Sequence, residues 1–74
     1  MTESIIQLDA RGLEPPQPMI KILAAVAELA PGTILAAHTD RQPMLLYPQL
    51  NQRGLIYETW RQPDGTHLTH IRYR

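Results

Sequence analysis

The chain has 74 residues, no cysteine, and seven acidic side chains that balance seven basic ones. This length allows a single domain with a small core, and the lack of cysteine excludes disulfides, thiolate metal ligands and thiol redox chemistry. The neutral net charge provides no general attraction to nucleic acid or to anionic lipid, so we expect neither as a partner.

A proline-rich step separates the first predicted strand from the first predicted helix. Residues 4–8 form a short apolar run typical of a strand, and Pro15-Pro16-Gln17-Pro18 follows it. Because proline suits the first turn of a helix, we expect the helix to begin at Pro16 or Pro18 and to end at Pro31-Gly32. The stripe that predicts this helix comprises Met19, Ile22, Leu23, Val26, Leu29 and Ala30.

The middle of the chain predicts a central strand and a second, interrupted helix. Residues 33–39 are small and nearly all apolar, as in a strand covered by helices. Asp40 is a candidate cap for the segment that follows. Pro48 would remove a hydrogen bond inside residues 43–53, which predicts a kinked helix or a turn followed by a short helix. Gly54 suits the end of that helix.

The last part of the chain predicts a hairpin. Residues 55–62 and 66–73 are strand-like, and Asp64-Gly65 between them is typical of a two-residue type I′ turn. Such a turn would pair Trp60 with Thr69 and would place Ile56, Trp60 and Ile71 in the core. The face left open would then carry Tyr57, Arg61, His70 and Arg72. Tyrosine and arginine are favoured in interfaces, so this face is either a docking surface or simply solvated.

The three histidines do not predict a metal site. His67 and His70 are three residues apart on one strand, so their side chains point to opposite faces. His38 and His70 would lie on neighbouring strands and could share a face, but a stable site needs a third or fourth ligand. We therefore expect no metal and no cofactor.

Several motifs in order resemble the TusA/SirA-like proteins. They are Leu8-Asp9 with Arg11-Gly12-Leu13, the proline-bounded helix start, Pro31-Gly32, Asp40 and the closing hairpin. The resemblance covers nearly the whole chain and implies an α+β fold, a two-layer sandwich of order β-α-β-α-β-β. It further implies a four-stranded mixed sheet, of strand order 1-2-4-3, with both helices on one face and residues 1–74 as one domain.

The chain departs from the sulfur carriers at their reactive residue. In those proteins a cysteine followed by Pro-x-Pro stands at the start of the first helix and receives sulfur as a persulfide, where the helix dipole favours a thiolate. Here Pro15 takes that place, and proline carries no nucleophile. A second resemblance is closer, to cysteine-free TusA-like domains of unknown function that share the opening from Leu8 to Met19.

These features predict a cytoplasmic, non-enzymatic adaptor without a membrane segment. The N-terminus lacks a basic region ahead of an apolar stretch, and no run approaches the roughly 20 apolar residues of a membrane span. We expect it to dock a protein partner around the first helix start. Core packing accounts for at least half of Met44, Leu45, Leu46 and Tyr47, and any excess there favours a partner groove or a homodimer contact. The alternative is an anion or small-ligand site there, related to sulfur or redox metabolism, with Gln17, Met19 and Ile20 as amide donors. The candidate contact residues are Arg11, Glu14, Pro15, Pro16, Gln17, Pro18 and Met19.

Overall fold

The computed structural model describes residues 4–74, whose strands and helices follow the predicted order β-α-β-α-β-β. The elements are β1 (Ser4–Asp9), α1 (Gln17–Val26), β2 (Thr33–Thr39), α2 (Leu46–Gln52), β3 (Leu55–Arg61) and β4 (His67–Tyr73). The four strands form one mixed sheet of order β1-β2-β4-β3, with β1 and β2 parallel and β4 antiparallel to its neighbours. The predicted α+β fold and strand order are confirmed.

Both helices pack on the same face of this sheet. Ile22 and Val26 of α1 and Leu46 and Leu50 of α2 are almost fully buried, in one cluster with strand residues. The strand residues buried in that cluster are Leu35, Ala37, Leu55 and Ile71. Alternate residues of β2 and β4 therefore face the helices, and the opposite side of the sheet is uncovered.

The first helix is shorter than its apolar stripe. The stripe ran to Ala30, but α1 ends at Val26, and the following amides of Glu28 and Leu29 bond to carbonyls three residues back. Such bonds tighten the last turn of a helix. Leu29 still enters the core from this turn, at 7% exposure. The stripe thus predicted the buried face of α1 correctly. It placed the end of the helix at Ala30, four residues beyond the observed end at Val26.

The second helix follows one of the two forms expected around Pro48. A turn over residues 44–45 leads into α2, which is seven residues long. Pro48 is the third residue of α2, where a backbone amide has no partner within the helix, so proline costs no hydrogen bond there. After the C-cap residue Arg53, Gly54 adopts a φ of 74° and ends the helix as predicted.

The hairpin between β3 and β4 differs from the prediction by one residue. The amide of Gln62 donates to the carbonyl of Thr66 at 2.7 Å, and the amide of Gly65 donates to the carbonyl of Gln62 at 2.9 Å. The bond between Gln62 and Thr66 encloses a three-residue loop, in which Gly65 has a φ of 88° and Asp64 does not have a positive φ. A two-residue type I′ turn would need positive φ at both residues. The loop sets Thr59 opposite Thr69, where Trp60 was expected.

A shift of one residue turns every side chain of β3 to the other face. Tyr57, Thr59 and Arg61 therefore lie on the helix side, and the prediction that Tyr57 and Arg61 belong to the open face is wrong. Ile56 and Trp60 lie on the open side, and their predicted place in the core is also wrong. Ile71, His70 and Arg72 of β4 are where they were expected.

Candidate functional site

The loop between β1 and α1 is held by its own side chains. The amide of Arg11 donates to Asp9 at 3.0 Å, and its guanidinium contacts both carboxylate oxygens of Asp9 at 2.9 and 3.0 Å. Gly12 follows with a φ of 76°, which favours glycine, and its amide donates to the Asp40 carboxylate at 2.7 Å. Asp40, expected to cap the second helix, instead ties this loop to the end of β2.

The contact with Asp9 limits the ability of Arg11 to bind an anionic ligand. Hydrogen bonds from Arg11 hold the pKa of Asp9 well below its ordinary value, and the same contact raises the pKa of Arg11. This bidentate pair engages the Nε and Nη2 edge of the guanidinium with a carboxylate of the same loop, which neutralises its charge. Arg11 is therefore paired within its own loop.

The first turn of α1 offers few free amides. The Pro15–Pro16 peptide bond is cis, and Pro16 is the N-cap residue with no side-chain cap. The amide of Gln17 donates to the Glu14 carbonyl at 2.8 Å, and the amide of Ile20 donates to the Pro16 carbonyl at 3.1 Å. Of the three donors considered for an anion, Gln17 and Ile20 are therefore engaged in the fold.

A groove runs between this loop and the segment that connects β2 to α2. Its volume is about 470 Å³. One wall is formed by Leu13, Glu14, Pro15, Pro16, Pro18 and Met19, and the other by Thr39, Asp40, Arg41, Gln42, Pro43, Met44, Leu45 and Leu46. We call it the α1 groove. Internal hydrogen bonds shape the second wall too, since the Thr39 hydroxyl donates to the Arg41 carbonyl at 2.6 Å.

The structure brings most of the predicted contact residues together in the α1 groove. Its walls include Glu14, the three nearby prolines and Met19, whereas Arg11 and Gln17 are not among its lining residues. Sequence reasoning missed Leu13 as a wall residue and did not connect residues 39–46 with the helix start. The run from Met44 to Leu46 was a visible signal, because its apolar side chains exceed what a short helix can bury.

The uncovered side of the sheet forms a second surface, which we call the open face. A shallow depression of about 480 Å³ lies on it, lined by Ile34, Ile56, Tyr57, Glu58, Trp60, His70 and Arg72. Trp60 and His70 meet edge to face, with ring centroids 4.9 Å apart and planes at 76°. Of the four residues predicted for this surface, His70 and Arg72 are on it with their side chains, while Tyr57 stacks against Tyr47 on the other side.

The histidines do not assemble a metal centre among residues 4–74. His67 and His70 point to opposite faces, as predicted from strand alternation. His38 shares the open face with His70, and its Nε2 lies 2.6 Å from the Thr66 hydroxyl. That hydroxyl in turn donates to Asp64 at 2.6 Å, so His38 belongs to the network that holds the hairpin loop.

The chain folds as a two-layer α+β sandwich of strand order β1-β2-β4-β3, with a proline at the start of α1 and no cysteine in the sequence. The family described as Uncharacterized conserved protein (DUF2249) matches residues 7–72, and the chain belongs to this family. The crystal structure of a SirA-like protein from Desulfitobacterium hafniense is similar to it, with a TM-score of 0.76 over 95% of this chain and 99% of that chain. At 23% identity, this likeness shows a shared fold.

A comparison with curated proteins finds no match. The resemblance seen in the sequence is confirmed at the level of family and fold. None of the helices described within residues 4–74 is long and apolar enough to cross a membrane.

Proposed function

We propose that this protein is a non-enzymatic binding module whose α1 groove receives an apolar side chain of a protein partner. The observation that carries the proposal is the exposure of large apolar side chains along the groove. Leu45 is 79% exposed, Met44 60% and Leu13 38%. Removing apolar surface from water stabilises a complex by roughly 25 cal/mol per Å² before the costs of association.

The groove is already shaped for a partner in the unbound chain. The carboxylate of Asp40 holds one wall to the other through the Gly12 amide, and the turn before α2 is closed by the Leu46 amide, which donates to the Pro43 carbonyl at 3.1 Å. A preformed surface loses less conformational entropy on binding than a flexible one. This supports recognition of a side chain by a fixed groove.

The charges around the groove favour a neutral or basic partner segment. Two carboxylates, Glu14 and Asp40, line it together with one guanidinium, Arg41. Of the other cations near this loop, Arg11 is paired with the Asp9 carboxylate, and the Lys21 ammonium donates to the Asp9 carbonyl at 2.7 Å. We therefore propose a partner segment with one apolar anchor and a basic residue beside it. Binding of an anion at the same helix start has less support, because Arg11 and two of the three candidate amides are engaged.

The proposal that the module is not an enzyme rests on its missing nucleophile. The chain contains no cysteine, and Pro15, in the position that corresponds to the carrier cysteine, forms part of the groove wall. A proline side chain cannot hold sulfur, but it adds rigid apolar surface for a partner. We therefore propose that the start of α1 binds a protein partner without presenting a reactive thiol.

A matched pair of variants tests the proposal. Leu45→Asp places a charge in the groove, whereas Ile20→Asp places one on an exposed residue of α1 that does not line it, at 51% exposure. Wild type and both variants would be immobilised, and the proteins each captures from a host lysate quantified. For at least one captured protein, we expect Leu45→Asp to capture about tenfold less than wild type, and Ile20→Asp to capture the same amount as wild type.

A crosslinking step makes the result specific to the groove. A photoreactive amino acid at position 45 should form a covalent adduct with the protein so identified, and one at position 20 should not. Equal capture by wild type and Leu45→Asp would overturn the proposal. So would an adduct that forms equally from both positions.

A further inference from the structure

The open face carries large apolar side chains that are exposed to solvent. Ile5 is 51% exposed and Trp60 44%, and both lie on the side of the sheet that no helix covers. Ile34, Ile56 and Leu68 lie on the same side and are partly buried. In a two-layer fold this side would normally be polar throughout. Here exposed apolar side chains are interleaved with Glu58, His70 and Arg72, a mixture that indicates a contact surface.

We propose that the partner on the open face is a second copy of this chain, related to the first by a two-fold axis. In such an interface one patch must be complementary to itself. The open face offers both halves of such a contact, because the exposed Trp60 lines the same depression of about 480 Å³ as Ile34 and Ile56. Trp60 of each copy would enter the depression of the other.

The charges of the open face are self-complementary as well. Glu58 lies opposite His70, and Arg72 lies opposite Ile56, so the carboxylate and the guanidinium are diagonal neighbours on adjacent strands. The one ion pair found among residues 4–74 joins Asp9 and Arg11, which leaves Glu58 and Arg72 without an ionic partner in the described chain. A two-fold axis through this patch would pair Glu58 of each copy with Arg72 of the other.

The dimensions and the net charge are compatible with this assembly. The Cα envelope measures 33 × 25 × 16 Å, and the sheet presents one of its two broad sides. A standard interface buries roughly 800 Å² on each partner, which is comparable with a face of this size. Equal numbers of acidic and basic side chains mean that two copies do not repel one another at long range.

The open face and the α1 groove are independent surfaces. The groove lies in the helix layer, between α1 and the segment before α2, and shares none of its lining residues with the depression on the open face. A dimer through the open face would leave both grooves accessible. A result that overturns partner binding in the α1 groove would therefore not overturn the dimer, and a result that overturns the dimer would not overturn partner binding in the groove.

Charge reversal on the full chain tests the proposed dimer. Sedimentation velocity from about 1 µM to 1 mM should show a reversible monomer–dimer equilibrium for wild type. Glu58→Arg and Arg72→Glu should each weaken the dimer by about tenfold or more, because each creates like charges across the axis. The double variant should restore it to within a few-fold of wild type. Glu28→Arg and Arg53→Glu reverse exposed charges outside the open face and should change nothing.

Fluorescence supplies a direct report, since Trp60 is the only tryptophan of the chain. Its emission should shift to shorter wavelength as dimer forms, and should stay unchanged over the same concentrations in Arg72→Glu. Far-ultraviolet circular dichroism checks that each variant is folded. A wild type that is monomeric at about 1 mM would overturn the proposal. A dimer that the two reversals do not weaken, or that forms without a shift in Trp60 emission, would overturn it equally.

Discussion

The ring of Tyr47 on α2 stacks on the ring of Tyr57 on β3, with centroids 4.6 Å apart and planes 4° from parallel. The Tyr47 hydroxyl lies 2.6 Å from that of Thr59, which lies 2.9 Å from that of Thr69. A seven-residue helix is too short to be stable alone, so contacts of this kind fix α2 on the sheet. They also determine which face of β3 is covered.

Truncation of Tyr57 should destabilise the domain clearly. Tyr57→Ala removes the stacked ring and leaves a gap against the core, which we expect to lower the free energy of unfolding by about 2–3 kcal/mol. Urea denaturation measures this change. Glu58→Ala, at the next position but on the exposed face, should change it by less than about 0.5 kcal/mol. Similar losses in the two variants would contradict the placement of Tyr57 on the covered face of β3.

The Thr59 hydroxyl lies between those of Tyr47 and Thr69. Its removal should destabilise the domain more than removal of either of the other two hydroxyls. Thr59→Val leaves the buried hydroxyl of Thr69 without a partner and also removes the contact of Tyr47. We expect a loss of about 1–3 kcal/mol in the free energy of unfolding, against about 1 kcal/mol for Tyr47→Phe.

The double variant Thr59→Val, Thr69→Val provides the control for this pair. It replaces both hydroxyls by methyl groups of similar size, so no buried donor or acceptor is left unpaired between these strands. The double variant should therefore be at least as stable as Thr59→Val alone. The single variant Thr69→Val completes the cycle. If the loss in the double variant equalled the sum of the losses in Thr59→Val and Thr69→Val, the two hydroxyls would not interact.

The parts of the fold that the sequence predicted correctly are those with local signals. The stripe through Ile22 and Val26 and the apolar run of β2 each identify a buried face without knowledge of the rest of the chain. The register of β3 is different, because Pro63-Asp64-Gly65 suits both a two-residue and a three-residue loop. Only the packing of Tyr57 under α2 distinguishes them, and that is a tertiary contact.

The two walls of the α1 groove also differ in how far the sequence predicted them. The wall from Glu14 to Met19 was predictable, since the prolines mark a helix start and the family resemblance gives it a role. The opposite wall depends on the parallel pairing of β1 with β2, which brings Asp40 to Gly12 across 28 residues of sequence. No short-range pattern encodes that contact, so the position of Leu45 beside the start of α1 emerged only from the structure.

The left-handed glycine of the hairpin loop can be tested directly. Gly65 has a φ of 88°, and no atom lies within 4 Å of where a Cβ would be, so the cost of a side chain there is purely conformational. Gly65→Ala should lower the free energy of unfolding by about 1 kcal/mol. Gly65→Asn should cost less, because asparagine tolerates left-handed backbone better than alanine does. Equal stability of Gly65→Ala and wild type would contradict the left-handed conformation at this position.

Two exposed carboxylates should make the domain sensitive to acid. Hydrogen bonds from Arg11 lower the pKa of Asp9, and those from Thr66 lower the pKa of Asp64, in each case from an ordinary value of 3.8. A carboxylate whose folded pKa lies below its unfolded value stabilises the fold at higher pH, and this contribution is lost as the pH falls below the unfolded value. Stability to urea should therefore decrease as the pH drops below about 4.

Asparagine at either position should reduce this dependence, because the amide does not titrate. Asp9→Asn and Asp64→Asn should each show a smaller difference in urea midpoint between pH 6 and pH 3 than wild type shows, by a modest amount because both groups are exposed to solvent. Glu14→Gln serves as the control for removing one negative charge from the same loop. NMR titration of the Asp9 carboxyl carbon should give a midpoint below 3.8. A midpoint at or above that value, with an unchanged acid response in Asp9→Asn, would show that Arg11 does not hold Asp9 in solution and is free to bind an external anion.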